Sequence, residues 1–405
     1  MTTLKRFIQE GWGKARKMPV GSDLDVPVAF VPPSIKGDFR TLYYWDTYFT
    51  NIGLILDGHT NWAKDNVDDL MYALDYFGCV PNYTRKDGAD FCSQPPLLSL
   101  MIQDIYKQTQ DDVWLKKAIA CLEKEYAFWM TERLTSIGLN QYGTNAKDEN
   151  KLIEYYEYVS TRVELPKDIS AKEKTLIAKN FIAEAESGED FTPRYKRHNA
   201  LDYVQIDLNS HLYGVEDFLS RYFKNKDEEK SLYYRNQKTR RLELIEKYCF
   251  NEKVGVYCDY NFVEDKKNEI VCGACFLPYF YRFARKNSNL LSVYNVLKSK
   301  GGVVACQDTG ESNYQWGYPN IWAPYQYFAY NALWYYGFQK EAEELRLNYK
   351  TLLERVFDET GALWERYDEN GNAADLEYPT QEMLGWTAGV YNYFLLIGTK
   401  NKNII

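Results

Sequence analysis

No apolar run in this 405-residue chain approaches the roughly 20 residues that a membrane-spanning helix requires. Basic charge is in deficit: 49 Lys and Arg against 57 Asp and Glu leave a formal charge of −8, which excludes the field that a nucleic-acid backbone needs. Histidine is scarce, and the three present, His59, His198 and His211, lack metal-ligand spacing. Cys272-Gly-Ala-Cys275 is a lone Cys-x-x-Cys with no second pair. No Gly-rich phosphate loop is present, so neither a metal nor a cofactor is expected. No Gly-Ser or Pro-rich linker divides the chain, and no short-period repeat marks it as a solenoid. The first residues carry basic charge without an apolar stretch behind it, so they do not read as an export signal. Leu4, Phe7, Ile8 and Trp12 predict a short amphipathic helix there instead. Most of the eight cysteines sit in apolar contexts, and in a large chain that predicts buried free thiols and a cytoplasmic protein.

Aromatic residues are abundant, with 36 Tyr, 20 Phe and 10 Trp making 16% of the chain. Such rings fill cores, but Tyr and Trp also offer flat faces with polar edges, which suit sugars. Amphipathic periodicity predicts about eleven helices: 45–56, 61–77, 96–108, 111–131, 170–184, 206–222, 228–249, 272–285, 323–336, 339–357 and 382–397. Asp111 is a plausible N-cap for the fourth. A hairpin arm at 255–263 and a short extended piece at 362–367 are the few strand signals. One catalytic domain over 1–405 is expected, with residues 140–185, including the Lys- and Glu-rich 164–179, as an exposed insertion. Helical hairpins in this number fit an all-α fold, a closed double ring.

Five segments interrupt the helical pattern. Residues 37–49 pack Tyr and Trp rings around Asp46, which either holds a sugar or caps a helix starting at Thr47. Residues 186–195 place Glu186, Glu189 and Asp190 around Gly188, a solvated acidic loop unless Phe191 and Tyr195 bury it. Burial would raise a carboxyl pKa, as a general acid requires. Residues 315–324 pair Trp316 and Trp322 with two prolines. Residues 363–368 set Glu365 between an aromatic and a cation, and Glu377-Tyr378-Pro379 precedes Gly385-Trp386-Thr387. Together they describe an aromatic-lined, carboxylate-rich pocket for glycoside chemistry.

These segments resemble the trehalase family, glycoside hydrolase family 37, over about residues 30–395. Residues 39–54 carry its Phe, Tyr-Tyr, Trp-Asp and Tyr-Phe signature, and 82–96 its Asn and Ser-Gln-Pro-Pro loop. Residues 186–194 match its Glu-Ser-Gly-x-Asp-Phe loop, 364–368 its general-base segment and 377–390 its closing loop. The resemblance implies an (α/α)6 barrel that hydrolyses an α-glucosidic bond with inversion. It implies Asp190 as general acid and Glu365 as general base. It also implies a small carbohydrate substrate, bound by Phe39, Tyr44, Trp45, Asp46, Asn82, Gln94, Glu186, Gly188, Arg194, Gln315, Trp316, Trp322, Glu377 and Trp386.

Departures concern recognition more than chemistry. Asp38 and Cys92 stand where the family carries Arg, Gly317 where it carries Asp, and its Arg-Pro-Glu stretch has only Glu154 as a loose counterpart. The reaction type is therefore better marked than trehalose as substrate. A related α-glycosidase acting on another small α-glucoside is the main alternative. A catalytically silent sugar-binding relative is the reading from a different class.

Overall fold

The computed structural model describes residues 2–19, 26–36, 39–195, 197–285, 288–311, 314–370 and 381–397. Its helices, numbered along the chain, begin with α1 (Thr3–Ala15), α2 (Tyr44–Leu56), α3 (Thr60–Phe77), α4 (Lys86–Phe91) and α5 (Leu98–Thr109). There follow α6 (Asp112–Glu132), α7 (Glu149–Ser160), α8 (Ala171–Glu186), α9 (Ile206–Phe223) and α10 (Glu228–Tyr248). The last are α11 (Leu277–Phe280), α12 (Leu290–Leu297), α13 (Ala323–Tyr335), α14 (Gln339–Thr360) and α15 (Gly385–Ile397).

Burial sorts these helices into two layers. In α2 every residue from Tyr44 to Leu54 is buried, and α13 and α15 are nearly as enclosed. A helix buried all round belongs inside. In α14 only a stripe is covered, including Ala342, Leu345, Tyr349, Leu352, Leu353 and Val356 at three- and four-residue steps. That spacing leaves the other face in water. The inner helices close a ring: α2 packs on α5, α5 on α9, α9 on α11, α11 on α13, α13 on α15, and α15 on α2. Behind them stand α3, α6, α10 and α14, with α12 against the 3-10 turn Gly273–Phe276 that leads into α11. At the seam between α15 and α2, α1 is tied by Trp12 Nε1 donating to Asp57 Oδ2 at 2.9 Å. The architecture is an (α/α)6 barrel.

Ring closure depends on two glycines. A Cβ on Gly389 would lie 1.9 Å from the Phe49 carbonyl oxygen, and one on Gly53 would lie 2.9 Å from the Gly389 Cα. The backbones of α2 and α15 therefore touch directly.

Most predicted helices appear within a few residues of their expected limits, and Asp111 does cap α6, accepting from the Trp114 N–H at 2.9 Å. The span 272–285 differs. It is a 3-10 turn followed by the four residues of α11, and Arg282 at φ 64 breaks continuation. The expected hairpin arm at 255–263 contains Val256–Tyr257, paired with Phe250–Asn251, and Tyr260–Asn261, paired with Tyr203–Val204. All eight cysteines are free and buried. No helix among the described residues is long and apolar enough to cross a membrane.

The stretch expected as an exposed insertion forms α7 and α8. Their outer faces are largely exposed, while the inner faces build two satellite cores. One joins Leu152, Tyr156, Ala178 and Ile182 to Cys92, and the other joins Val159 and Phe181 to Phe191. This hairpin stands beside the end of the barrel where α2, α5, α13 and α15 begin.

Candidate active site

A cavity of about 650 Å³ opens at that end. Its walls come from the segments that precede inner helices, so side chains from distant parts of the sequence converge on one space. Phe39, Trp45, Asp46, Asn82, Gln94, Gly188, Asp190, Gln315, Trp316, Trp322, Glu365 and Trp386 all line it.

The aromatic wall is a connected set of tryptophans. Trp316 stacks on Trp322, Trp45 tilts against Trp316 with centroids 5.5 Å apart, and Trp386 meets Trp45 and Trp322 edge-on. Such packing holds large flat faces in fixed orientation for C–H surfaces of a ligand. Gln94 accepts from the Trp45 N–H at 3.1 Å, which ties the loop before α5 to the first turn of α2.

Asp46 lies inside that first turn and does not cap the helix, whose N-cap is Tyr43. Its carboxyl is held well above the usual range by burial, then by the charge of Glu365 and, more weakly, by Asp190. Three carboxyl groups thus share one enclosed electrostatic environment. Like charges in low dielectric push protonation equilibria upward, which is how a site keeps one acid protonated near neutral pH.

Glu365 is fixed through its backbone. Its N–H donates to Gln381 O at 2.9 Å, and its carbonyl accepts from Trp386 Nε1 at 3.0 Å. The next residues, Arg366–Tyr367, pair with Ile321–Trp322 at the entrance to α13. Asp190 follows the tight turn after α8. Gly188 adopts φ +76, and a Cβ there would meet the Trp45 indole at 2.7 Å. Phe191, at φ 55, packs its ring against Phe181. The acidic loop is therefore built into the wall and is not a solvated run.

Three residues expected to touch substrate are placed elsewhere. Tyr44 is buried in the core, where its hydroxyl donates to Glu125 and accepts from the Leu98 N–H. Glu186 is engaged on both oxygens, by Arg133 at 2.7 Å to each and by the Gly143 and Ser93 N–H groups. Arg194 is fully buried behind the acidic loop, forked onto Asp259 at 2.6 and 2.7 Å and bonded to Asp207 and Glu189. In each case a polar side chain inside a motif saturates its own donors or acceptors on the scaffold. Glu377 and Asp38 fall outside the described residues.

Cys92 lines the cavity as a buried thiol, 1% exposed, with its pKa raised by burial. Gly317 does not line it, and Glu154 is exposed on α7. His198 is partly buried and pairs with Glu184 at 2.9 Å. The motifs did not single out Tyr155, Tyr158 or Arg162, which line the wall from α7 and the turn after it. Charge-rich flanks masked that helix in the sequence. Tyr43, Phe91 and Gln381 also line the cavity.

A family model described as Trehalase matches residues 5–398. The putative periplasmic trehalase of Escherichia coli O157:H7 is 30% identical over 391 residues, covering 91% of this chain and 69% of that protein. The periplasmic trehalase of Escherichia coli K12 is 30% identical over 391 residues, covering 91% of this chain and 68% of its own. Among solved structures, neutral trehalase from Saccharomyces cerevisiae aligns with TM-score 0.76 at 23% identity, over 91% of this chain and 73% of that one. The GH63 mannosylglycerate hydrolase from Thermus thermophilus aligns with TM-score 0.65 at 14% identity, over 97% of this chain and 100% of that one. At those identities the structural likeness speaks for the barrel alone. The family match, spanning nearly all of the helical ring and both carboxylate-bearing segments, carries the conclusion that this chain belongs to the trehalase family of glycoside hydrolases.

Proposed function

We propose that the cavity hydrolyses a small α-glucoside with inversion at the anomeric carbon, with Asp190 as general acid and Glu365 as general base. Asp190 gives its proton to the glycosidic oxygen as the C1–O bond breaks. Glu365 takes a proton from a water whose oxygen bonds to C1 from the opposite face. Proton return from Glu365 to Asp190 through solvent completes the cycle, so substrate and water balance two free sugars. Asp46 and the tryptophan faces position the sugar ring while it carries oxocarbenium character.

One observation carries this reading. Asp46, buried in the first turn of α2, is influenced by both Glu365 and Asp190 within a single tryptophan-walled cavity. Two carboxyl groups brought to one enclosed space from segments 175 positions apart (365 minus 190) are the equipment of acid–base glycoside hydrolysis.

The buried thiol of Cys92 favours a second substrate reading. A thiol offers little hydrogen bonding to sugar hydroxyls, which supports an α-glucoside other than trehalose. The eight buried free thiols support a reducing compartment, the cytoplasm. Recovery of the native protein in an extracytoplasmic fraction would contradict that location.

Kinetics of Asp190→Asn and Glu365→Gln on trehalose and other α-linked glucobioses test the assignment. Each should lose about 10²–10⁴-fold in kcat through loss of proton transfer, with an unchanged melting temperature. Near-wild-type turnover by Asp190→Asn would remove it as the acid.

A further inference from the structure

A second cavity, of about 730 Å³, shares no lining residue with the first, and its size suits a small molecule. Three short strands contribute to it: Tyr260–Asn261 pairs with Tyr203–Val204 on one side and with Lys266–Lys267 on the other. The end of α10 supplies Lys247 and Tyr248. Lys267 reaches from the strands to α10, where its Nζ donates to Phe250 O. The Tyr248 and Tyr260 rings meet with centroids 4.9 Å apart, and Lys247 Nζ lies 4.4 Å from the centroid of Tyr248. Two lysines are thus gathered about one pair of tyrosine rings.

The carboxylates of this cavity are committed. Glu264 pairs with Arg197 and lies 3.6 Å from Lys266, Glu269 lies 3.8 Å from Lys253, and Asp265 accepts from the Tyr260 hydroxyl. Among the described residues, no carboxylate stands within ion-pair distance of Lys247 or Lys267. In a chain of formal charge −8, five cationic side chains against three carboxylates leave this cavity two positive charges over. The Asn251, Asn261 and Asn268 side-chain oxygens are engaged by backbone N–H groups of the adjoining turns. Asn261, 1% exposed, lines the cavity with its Nδ2, which lies near the Tyr203 hydroxyl but closes no hydrogen bond. A buried amide donor without an acceptor is costly.

The lining therefore presents donors and surplus positive charge, while its acceptors are used. A phosphate monoester carries about 1.5 to 2 negative charges near neutral pH and three acceptor oxygens. We propose that this cavity is a second binding site, for a phosphate-bearing small molecule. Lys247 and Lys267 meet the phosphate as point charges, Asn261 Nδ2 donates to it, and the Tyr248–Tyr260 pair flanks the group to which it is attached. The site stands apart from the chemistry of Asp190 and Glu365, although Asn268 in its lining donates to Arg194 O at 2.9 Å, on the segment that carries Asp190.

Titration calorimetry of the whole chain with inorganic phosphate, glucose 6-phosphate and glucose tests this. Both phosphate compounds should bind, and glucose should not compete with them. Lys247→Gln and Lys267→Gln should each weaken binding at least about tenfold, the scale of one lost charged donor. Asn261→Asp keeps the acceptor oxygen but replaces the donor with a negative charge, and should abolish binding. Lys247 is exposed at the end of α10, so its variant decides the matter whatever the folding of the other two. Tighter binding of glucose 6-phosphate than of phosphate supports the proposal with a phosphorylated sugar as occupant, and equal binding supports it with the free ion. No binding of either compound overturns it, and would mean that the lysines serve only the carbonyls at the end of α10. Binding that Lys247→Gln retains in full, or that glucose displaces, overturns it too by placing the anion elsewhere.

Discussion

Trp316 lies flat on Trp322, with ring centroids 4.0 Å apart and planes 6° from parallel. The stack links the loop before α13 to the strand that directly follows Glu365, since Trp322 is registered with Arg366 and its Nε1 donates to Gln315 O at 2.9 Å. The tryptophan face that lines the cavity and the backbone that holds Glu365, the proposed base, are therefore one mechanical unit.

Trp316→Ala should raise KM for the preferred disaccharide at least about tenfold and cost roughly 3–5 kcal/mol of stability, the usual range for deleting a buried large aromatic. Trp316→Phe keeps a ring and should recover most of the stability. Steady-state kinetics and urea denaturation read the two effects separately. An unchanged KM for the alanine variant would take Trp316 out of the binding wall.

Glu186 and Arg133 form a nearly fully buried, bidentate pair that also receives two backbone N–H groups. Glu186→Ala leaves a buried guanidinium without its carboxylate, so stability should fall by about 3–5 kcal/mol. Activity per folded molecule should be much less affected. A large kcat loss in protein of wild-type stability would return Glu186 to the substrate site.

Gly188 turns the chain at φ +76 directly against the Trp45 indole. Gly188→Ala adds both a strained backbone and a clash, at a cost of roughly 1–3 kcal/mol. Because Asp190 is two residues on, kcat should drop more than the stability change alone explains. Thermal unfolding alongside kcat on the same preparation checks this, and a variant with wild-type kcat would show that the turn does not position Asp190.

Glu189 sits behind Asp190, bonded to Tyr325 and Arg194. Burial pushes its carboxyl up to about 8 against the pull of Arg194, whose charge Asp207 and Asp259 already share. The folded state therefore binds a proton that the unfolded state releases near 4.5, its ordinary value. Its contribution to stability is fully present below pH 4.5 and is lost as pH rises through about 8. Glu189→Gln, which cannot ionise, should show a flatter stability curve than wild type across that window, measured by urea denaturation at a series of pH values. Parallel curves would mean that Glu189 is ionised in the fold.

The sequence displayed the barrel well because its helices are amphipathic or uniformly apolar over three or more turns, as in α2, α6 and α14. It marked out Asp46, Asp190 and Glu365, which line one cavity, because they sit in aromatic segments that no helix period explains. It did not separate binding groups from scaffold groups. Glu186 and Arg194 belong to the same motif as Asp190, yet ion pairs with Arg133 and Asp259 turn them away from the cavity. Those partners lie 53 and 65 positions distant in the chain, beyond any local pattern. Arg162 escaped notice for the opposite reason: it lies in the turn after a charge-rich helix with an exposed outer face, and only the packing of α7 on α8 brings it to the cavity.

Proton NMR of the purified protein with α-linked glucobioses, trehalose included, tests the central claim most directly, because it observes the released anomer before mutarotation. The account predicts that β-glucose appears first from the preferred disaccharide. Early α-glucose would contradict inversion by Asp190 and Glu365, and no release from any disaccharide would contradict the assignment of this cavity to small α-glucosides.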